Sequence, residues 1–510
     1  MIRILNQLIL LAAVLTFVAG CATMQSRWEE TRSADTIQAY EEFIRQYPNH
    51  AEAHYLLGVL YERQGFEIID KKKEEVEVKT LELSFLQKAQ NAYERVLILN
   101  SAYMGANKAL QRCKAKIHFV QGVKNIDRQP ELAIQEFNMG IGIDPDNYSG
   151  LLVEMHNNIG NLYNRKGWYD KAVAEFEKAF EIDPDMEALR YNLPYNRGLM
   201  YLVQQNDLNK AEESIQTAIK ADPNRSKAQT LLGIIYRRKR LLEASIRELK
   251  RAIAIDPNYA EAHIQLGMSY NALGHYHEAI DPLTQGLRLE SNNAEAYMQL
   301  GAAYSQLGQH QKAIESYKQA FHINPNNDAN WYFALAESYA KLGQHQEAIG
   351  TYKQGLLLAP NNAEAYTQLG LVYSTLGHHQ EAIEAYKRAL IIKPNVSQVL
   401  AGLGIAYIDI GDYQKAVEAF RKAILISPDN ASWHFALGVA YSNLERYQES
   451  VESYKQVIRL EPNNSEAHFR AGIMYLILGN KRAAQEQYEI LKNLDQNKAN
   501  QLLALIRKSP

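Results

Sequence analysis

The sequence predicts an all-α solenoid, and three observations predict it: a repeat of 34 residues, two amphipathic helices written inside each repeat, and no linker between repeats. The close of each repeat is marked by Pro or a stand-in, at Pro223, Pro257, Ser291, Pro325, Pro360, Pro394, Pro428 and Pro462, spaced 34 residues apart except for one interval of 35. A period of this length belongs to stacked supersecondary units that bury their apolar faces on one another, not to a single closed core. No stretch rich in Pro, Gly and Ser interrupts the repeats, so one elongated array is expected.

In the unit from Ala260 to Leu289, Leu266, Gly267 and Tyr270 lie on one side of a first helix, and Gly274 breaks it. Ala279, Leu283 and Gly286 mark the packed side of a second helix, which ends at Glu290, Ser291 and Asn292. The pattern recurs as Leu300, Gly301, Tyr304, Gly308, Ala313, Tyr317, Ala320, Pro325, and again as Leu369, Gly370, Tyr373, Gly377, Ala382, Tyr386, Ala389, Pro394. A Gly or Ala at the helix crossing lets two backbones approach, larger apolar side chains fill the space around it, and Pro stops the second helix. This pattern closely resembles the tetratricopeptide repeat family, over most of the chain and in about twelve units. The resemblance implies a right-handed superhelical solenoid of helix-turn-helix units whose concave side is lined by the first helices.

Residues 34–223 hold irregular units. Asp35 to Pro48, with Tyr40 and Phe43, reads as a half unit made of a second helix, and Gly58 with Tyr61 opens the first full one. An insertion near 66–84 carries the charged run Lys71 to Lys79, read as a solvated helical extension. The intervals Pro145 to Pro184 and Pro184 to Pro223 are 39 residues long, which longer first helices explain. Residues 224–496 form the regular array, and 497–510, with Leu502, Leu503, Leu505 and Ile506, supply the capping helix that a solenoid end requires.

The N-terminus begins with one basic residue, Arg3, and an apolar stretch from Leu8 to Val18, short for a bilayer span and right for a signal peptide over residues 1–20. It closes on Val18, Ala19, Gly20, Cys21, which resembles a bacterial lipobox. That resemblance implies that Cys21 is acylated and becomes the first residue of the mature chain, with 21–33 a short tether to the repeats. Ala22, in place of the Asp that retains lipoproteins at the inner membrane, implies the periplasmic face of the outer membrane if the source is Gram-negative. The competing reading is an uncleaved membrane helix, opposed by Asn6 and Gln7 within it.

Net charge is −3 and the sequence pI ≈ 6.6, so no basic field points to nucleic acid. Cys113, between Arg112 and Lys114, reads as a packed helix residue with no partner for an intramolecular disulfide after Cys21 is acylated. His310, His345 and His379 fall two residues after the glycines that end first helices, where Tyr276, Tyr413 and Tyr447 stand in other units. Stacked repeats hold such positions roughly 10 Å apart, against about 2 Å for a metal–ligand bond, so aromatic packing is expected and no metal or cofactor. Phosphate-loop, zinc-helix, nucleophile-elbow and CxxC motifs are absent, and no catalysis is expected. Arg237, Arg238, Lys239 and Arg240 read as an exposed turn, with contact to anionic lipid or an acidic partner as the minor reading.

What remains for function is the face of the first helices. Positions three before, one after and four after the crossing residue share a helix face, and in the C-terminal units they are apolar. They predict a protein-binding groove of Phe333, Leu371, Ile405, Ile408, Phe435, Val439 and Phe469. The expected function is a lipid-anchored scaffold that binds a protein or peptide in the cell envelope. It would serve pilus or secretin assembly, a cell-wall enzyme or protease, or polysaccharide export. A self-assembling structural protein is the alternative, and an enzyme a remote one.

Overall fold

The computed structural model describes residues 2–71, 76–143, 149–325 and 328–509, with side chains throughout except at 2–8, 66–71, 76–82 and 149. Residues 72–75, at the centre of the charged run Lys71 to Lys79, and the unit boundary at Pro145 lie outside that description; the helices Ala51–Lys71 and Val76–Leu99 carry the flanks of the run. The described chain is helical from end to end and divides into two compact units, Met1–Ile255 and Asp256–Pro510.

The first unit holds six consecutive helix pairs. They are α1 (Ile2–Ala34) with α2 (Ile37–Gln46), α3 (Ala51–Lys71) with α4 (Val76–Leu99), and α5 (Ala106–Asn125) with α6 (Pro130–Ile143). There follow α7 (Ser149–Arg165) with α8 (Tyr169–Ile182), α9 (Glu187–Met200) with α10 (Leu208–Ala221), and α11 (Ser226–Arg238) with α12 (Leu242–Ile255). The first helices α3, α5 and α7 run to 21, 20 and 17 residues, and α9 continues into a π-helical turn, Tyr201–Gln205, against 13 or 14 residues in the regular pairs.

The second unit holds seven pairs and a final helix. They are α13 (Ala260–Leu273) with α14 (Tyr276–Leu289), α15 (Ala294–Gln306) with α16 (His310–Ile323), α17 (Ala329–Lys341) with α18 (His345–Leu358), and α19 (Ala363–Thr375) with α20 (His379–Ile392). Then come α21 (Ser397–Asp409) with α22 (Tyr413–Ile426), α23 (Ala431–Asn443) with α24 (Tyr447–Leu460), α25 (Ser465–Ile477) with α26 (Lys481–Leu494), and α27 (Gln496–Lys508).

Local chemistry writes these boundaries. The Asn that follows the closing Pro caps the next first helix: the side chains of Asn362, Asn430 and Asn464 accept from the N–H groups of Ala365, Trp433 and Ala467. First helices end at a left-handed residue, as at Gly377 (φ 75°) and Gly411 (φ 79°). After α23 the same place is held by Glu445 at φ 59°, a conformation that a side chain disfavours. Glu445→Gly is therefore expected to stabilise the second unit by about 1 kcal/mol, read as a rise in its thermal midpoint.

A large side chain covers each crossing glycine of the first helices; over Gly233 and Gly267 it is Leu249 and Leu283, and in four pairs of the second unit it is an aromatic ring of the second helix. A Cβ placed on Gly301 would lie 2.5 Å from Tyr317, on Gly370 2.7 Å from Tyr386, on Gly404 2.8 Å from Phe420 and on Gly438 2.8 Å from Tyr454. In the α17–α18 pair the crossing residue is Ala336, and Gly355 on α18 receives Phe333, whose ring carbon would lie 2.4 Å from an added Cβ. At the C-terminus, Ala499, Leu502 and Ile506 of α27 pack on Ala484 and Leu491 of α26, with Leu476 against them. Ile477, next to Leu476, stays 50% exposed and is not covered by α27.

The N-terminal units differ from expectation. The half unit read from Asp35 is a full pair, because α1 runs unbroken to Ala34 and its C-terminal half is the missing first helix. Trp28 is buried, with its ring 5.1 Å from Phe43 and 4.4 Å from His50, so the tether expected over 21–33 is helical and packed from Met24 onward. Upstream, Ile9 to Val18 project no side chain into the unit. Ile9–Ala34 is long and apolar enough to cross a membrane by length and composition, a property that signal sequences share.

Candidate interaction face

The seven residues expected to line a groove divide by their angle around the first helix. At about 100° per residue, the position one after the crossing residue points roughly 100° away from the partner helix, while those three before and four after it lie only about 40–60° away. Leu371 on α19 and Ile405 on α21, both one after a crossing glycine, are 54% and 51% exposed and repeat one unit apart. Phe333 and Phe435, three before, turn into their own pairs: Phe333 onto Gly355, and Phe435 onto Tyr454 with ring centroids 5.4 Å apart. Phe469 packs with the cluster under α27. Ile408, four after, packs on the core of the second unit; Val439 departs from the angular rule, since it stands one after the crossing Gly438 and is yet half-buried against the Val451 and Tyr454 cluster.

The position four after the crossing faces the neighbouring first helix. Asn271 donates from Nδ2 to the Gln299 carbonyl at 2.8 Å, and Ser338 Oγ lies 3.3 Å from Ser305 Oγ. Glu337 on α17 and Glu364 on α19 belong to the same solvent face, and residues further round the helix that were missed from sequence complete it: Gln368 and Thr375 on α19, Gln398 and Asp409 on α21, and Lys341 on α17. The signal was available in the 3.6-residue period, which puts these positions with Leu371 and Ile405. The exposed face is thus polar, with three acidic side chains against one Lys, and carries two aliphatic side chains on consecutive first helices.

The other singled-out residues fall as follows. Cys21 is exposed on α1 and Cys113 is buried, its thiol directed at the Leu86 carbonyl 3.1 Å away, and burial pushes its pKa up to about 12. His310, His345 and His379 open α16, α18 and α20, each with Nδ1 buried and without a hydrogen bond. His379 Nδ1 does lie 3.3 Å from Asp409 Oδ2, within ion-pair distance but outside hydrogen-bond alignment. Among the described residues no group of three or more His, Cys, Asp or Glu is placed to hold a metal ion. The basic run after α11 is partly engaged: Lys239 pairs with Glu212 at 2.5 Å and Arg238 donates to the Leu202 carbonyl at 3.2 Å.

Family models described as tetratricopeptide repeat match residues 22–65, 153–186, 199–260, 248–281, 294–327, 327–394 and 431–464, and one described as TPR repeat matches 267–308 and 404–444. Together they span more than half of the chain. None of the curated proteins compared with the chain matches it. Among solved structures, the chain is similar to MamA at 25% identity, covering 32% of this chain and 97% of that one, with a TM-score of 0.31. It is also similar to the C-terminal part of a TPR repeat-containing protein from Cytophaga hutchinsonii, at 19% identity over 47% and 99%, TM-score 0.43. The Cut9–Hcn1 hetero-tetramer of the APC/C aligns over 95% of both chains at 14% identity, TM-score 0.34.

Proposed function

The chain belongs to the tetratricopeptide-repeat family, and from that premise we propose that it is a lipid-anchored scaffold of the bacterial envelope, without catalysis of its own. Its first helices present a protein or peptide partner with an aliphatic and acidic face. The observation that carries the reading is the pair Leu371 and Ile405, half exposed at the same position of consecutive first helices, with Glu337, Glu364 and Asp409 around them. Two aliphatic side chains in an acidic setting suit a partner segment with apolar residues flanked by Lys or Arg.

Membrane attachment is supported by the run Val18, Ala19, Gly20, Cys21 and by the bare apolar half of α1. Acylation at Cys21 would leave the packed half of α1, from Met24, intact as the first helix of the solenoid. Envelope processes that need such a scaffold include pilus or secretin assembly, control of a cell-wall enzyme or protease, and polysaccharide export.

The test is in-cell crosslinking and mass spectrometry on the native chain and on Leu371→Asp with Ile405→Asp. Both side chains are exposed, so helical content is expected to hold while partners are depleted at least tenfold. Partners retained at native levels would remove the face from the proposal, and capture of further copies of the chain alone would favour self-assembly. Cys21→Ser is expected to abolish lipid labelling; labelling that persists refutes the anchor.

A further inference from the structure

A second apolar feature lies away from the first helices. The last-but-one residue of each second helix in the second unit is exposed, and its identity is polar at both ends of the series: Arg288 and His322 before, Arg459 and Asn493 after. In the three helices between, the same position holds Leu357, Ile391 and Leu425, which are 76%, 73% and 84% exposed. Leu358 and Ile426 extend the strip. Helix packing does not account for it, since a position that tolerates Arg and Asn elsewhere has no core to fill.

Cations surround the strip. One turn back from Ile391 stand Lys387 and Arg388, and one turn back from Leu425 stand Arg421 and Lys422, all exposed, with Lys393 just past α20. Lys387 lies over the Tyr407 ring at 5.8 Å. Arg388, Lys393, Arg421 and Lys422 have no ion-pair partner among the described residues. The acidic residues of the same surface, Glu384 and Glu418, stand two turns back from the aliphatic positions, and Asp429 lies beyond the end of α22.

We propose that this strip, formed by the C-terminal ends of α18, α20 and α22, is a docking surface for an anionic lipid bilayer. Long cationic side chains beside exposed aliphatic ones suit a bilayer interface, where the aliphatic groups enter the acyl boundary and the cations reach the phosphates. Each cation at an anionic surface strengthens binding by about fivefold. The choice of a bilayer as occupant rests on the membrane attachment proposed above and on the pairing of exposed aliphatic side chains with cations, which matches the acyl boundary and the anionic headgroups of a bilayer.

The full chain, carrying a benzophenone amino acid in place of Ile391, is mixed with vesicles of phosphatidylcholine alone or with about one third phosphatidylglycerol, and irradiated. Lipid adducts at position 391 are expected in the anionic vesicles. They should fall by about an order of magnitude with Arg388→Gln plus Lys422→Gln, and also with Leu357→Ser plus Leu425→Ser. An absence of lipid adducts in anionic vesicles, or adducts only with a second copy of the chain, overturns the proposal. Flotation with neutral vesicles reports separately on α1, so a failed anchor and a failed surface give different results.

Discussion

Glu62→Ala is expected to cost the first unit about 3–5 kcal/mol, the loss that follows when one partner of a buried ion pair is removed. Glu62 on α3 is 3% exposed. Arg112 of α5 donates to both its carboxylate oxygens at 2.5 Å, Lys116 donates at 2.8 Å, and the Tyr93 hydroxyl of α4 donates at 2.9 Å. Three helices therefore meet at one carboxylate, and its removal takes a shared, buried negative charge away from Arg112, Lys116 and Tyr93 at once. Burial alone would push the carboxyl up; the hydrogen bonds from Arg112 and the charge of Lys116 outweigh it and hold Glu62 below the ordinary carboxylate range.

The sign of the pH dependence follows. A carboxyl whose folded pKa is depressed contributes stability that is present above its ordinary value of 4.5 and is lost as pH falls through the folded pKa. Denaturant titrations of the first unit should show the native chain losing stability below about pH 4.5, with Glu62→Gln flatter across the same window. Glu62→Gln keeps an acceptor for Tyr93 and should be milder than the alanine. A native-like midpoint for Glu62→Ala would mean that Arg112 and Lys116 find acceptors elsewhere at no cost.

Much of this molecule is legible before folding because each regular unit states the same solution. Gly301, Gly370, Gly404 and Gly438 can be read as crossings from spacing alone, and each does receive a ring from its second helix. Legibility fails where a residue's role depends on a partner that the period does not specify. Glu62 and Arg112 lie 50 residues apart in irregular units, and no spacing rule joins them. The first helix of the first pair was hidden because its packed part, from Met24 to Ala34, follows directly on the apolar run that reads as a signal peptide and itself reads as a tether. The groove was blurred for a third reason: Phe333, Ile405 and Ile408 are all apolar, and only the angle separates a side chain turned toward the second helix from one turned toward solvent. Leu357, Ile391 and Leu425 went unnoticed because an aliphatic residue near a helix end looks like core in one unit. It stands out only against its polar counterparts in the others.

Phe333 and Gly355 provide the sharpest test of that angular argument. Gly355→Ala alone would force a Cβ to 2.4 Å from the Phe333 ring and 3.1 Å from Tyr332, an overpacking that costs about 1–3 kcal/mol. Phe333→Thr alone would leave a void over Gly355 and beside Tyr352, whose ring centroid lies 6.4 Å from that of Phe333, at a cost of about 2–3 kcal/mol. The next unit already carries the compensated pair at the same two positions, Thr367 and Ala389. The double variant is therefore expected to recover at least 1 kcal/mol relative to the sum of the singles, measured by chemical denaturation of all four proteins. It should also capture the native set of partners, because neither side chain belongs to the exposed face. Additive losses would place Phe333 away from Gly355. Partners lost from a double variant of restored stability would return Phe333 to the binding face and move the groove toward the second helices.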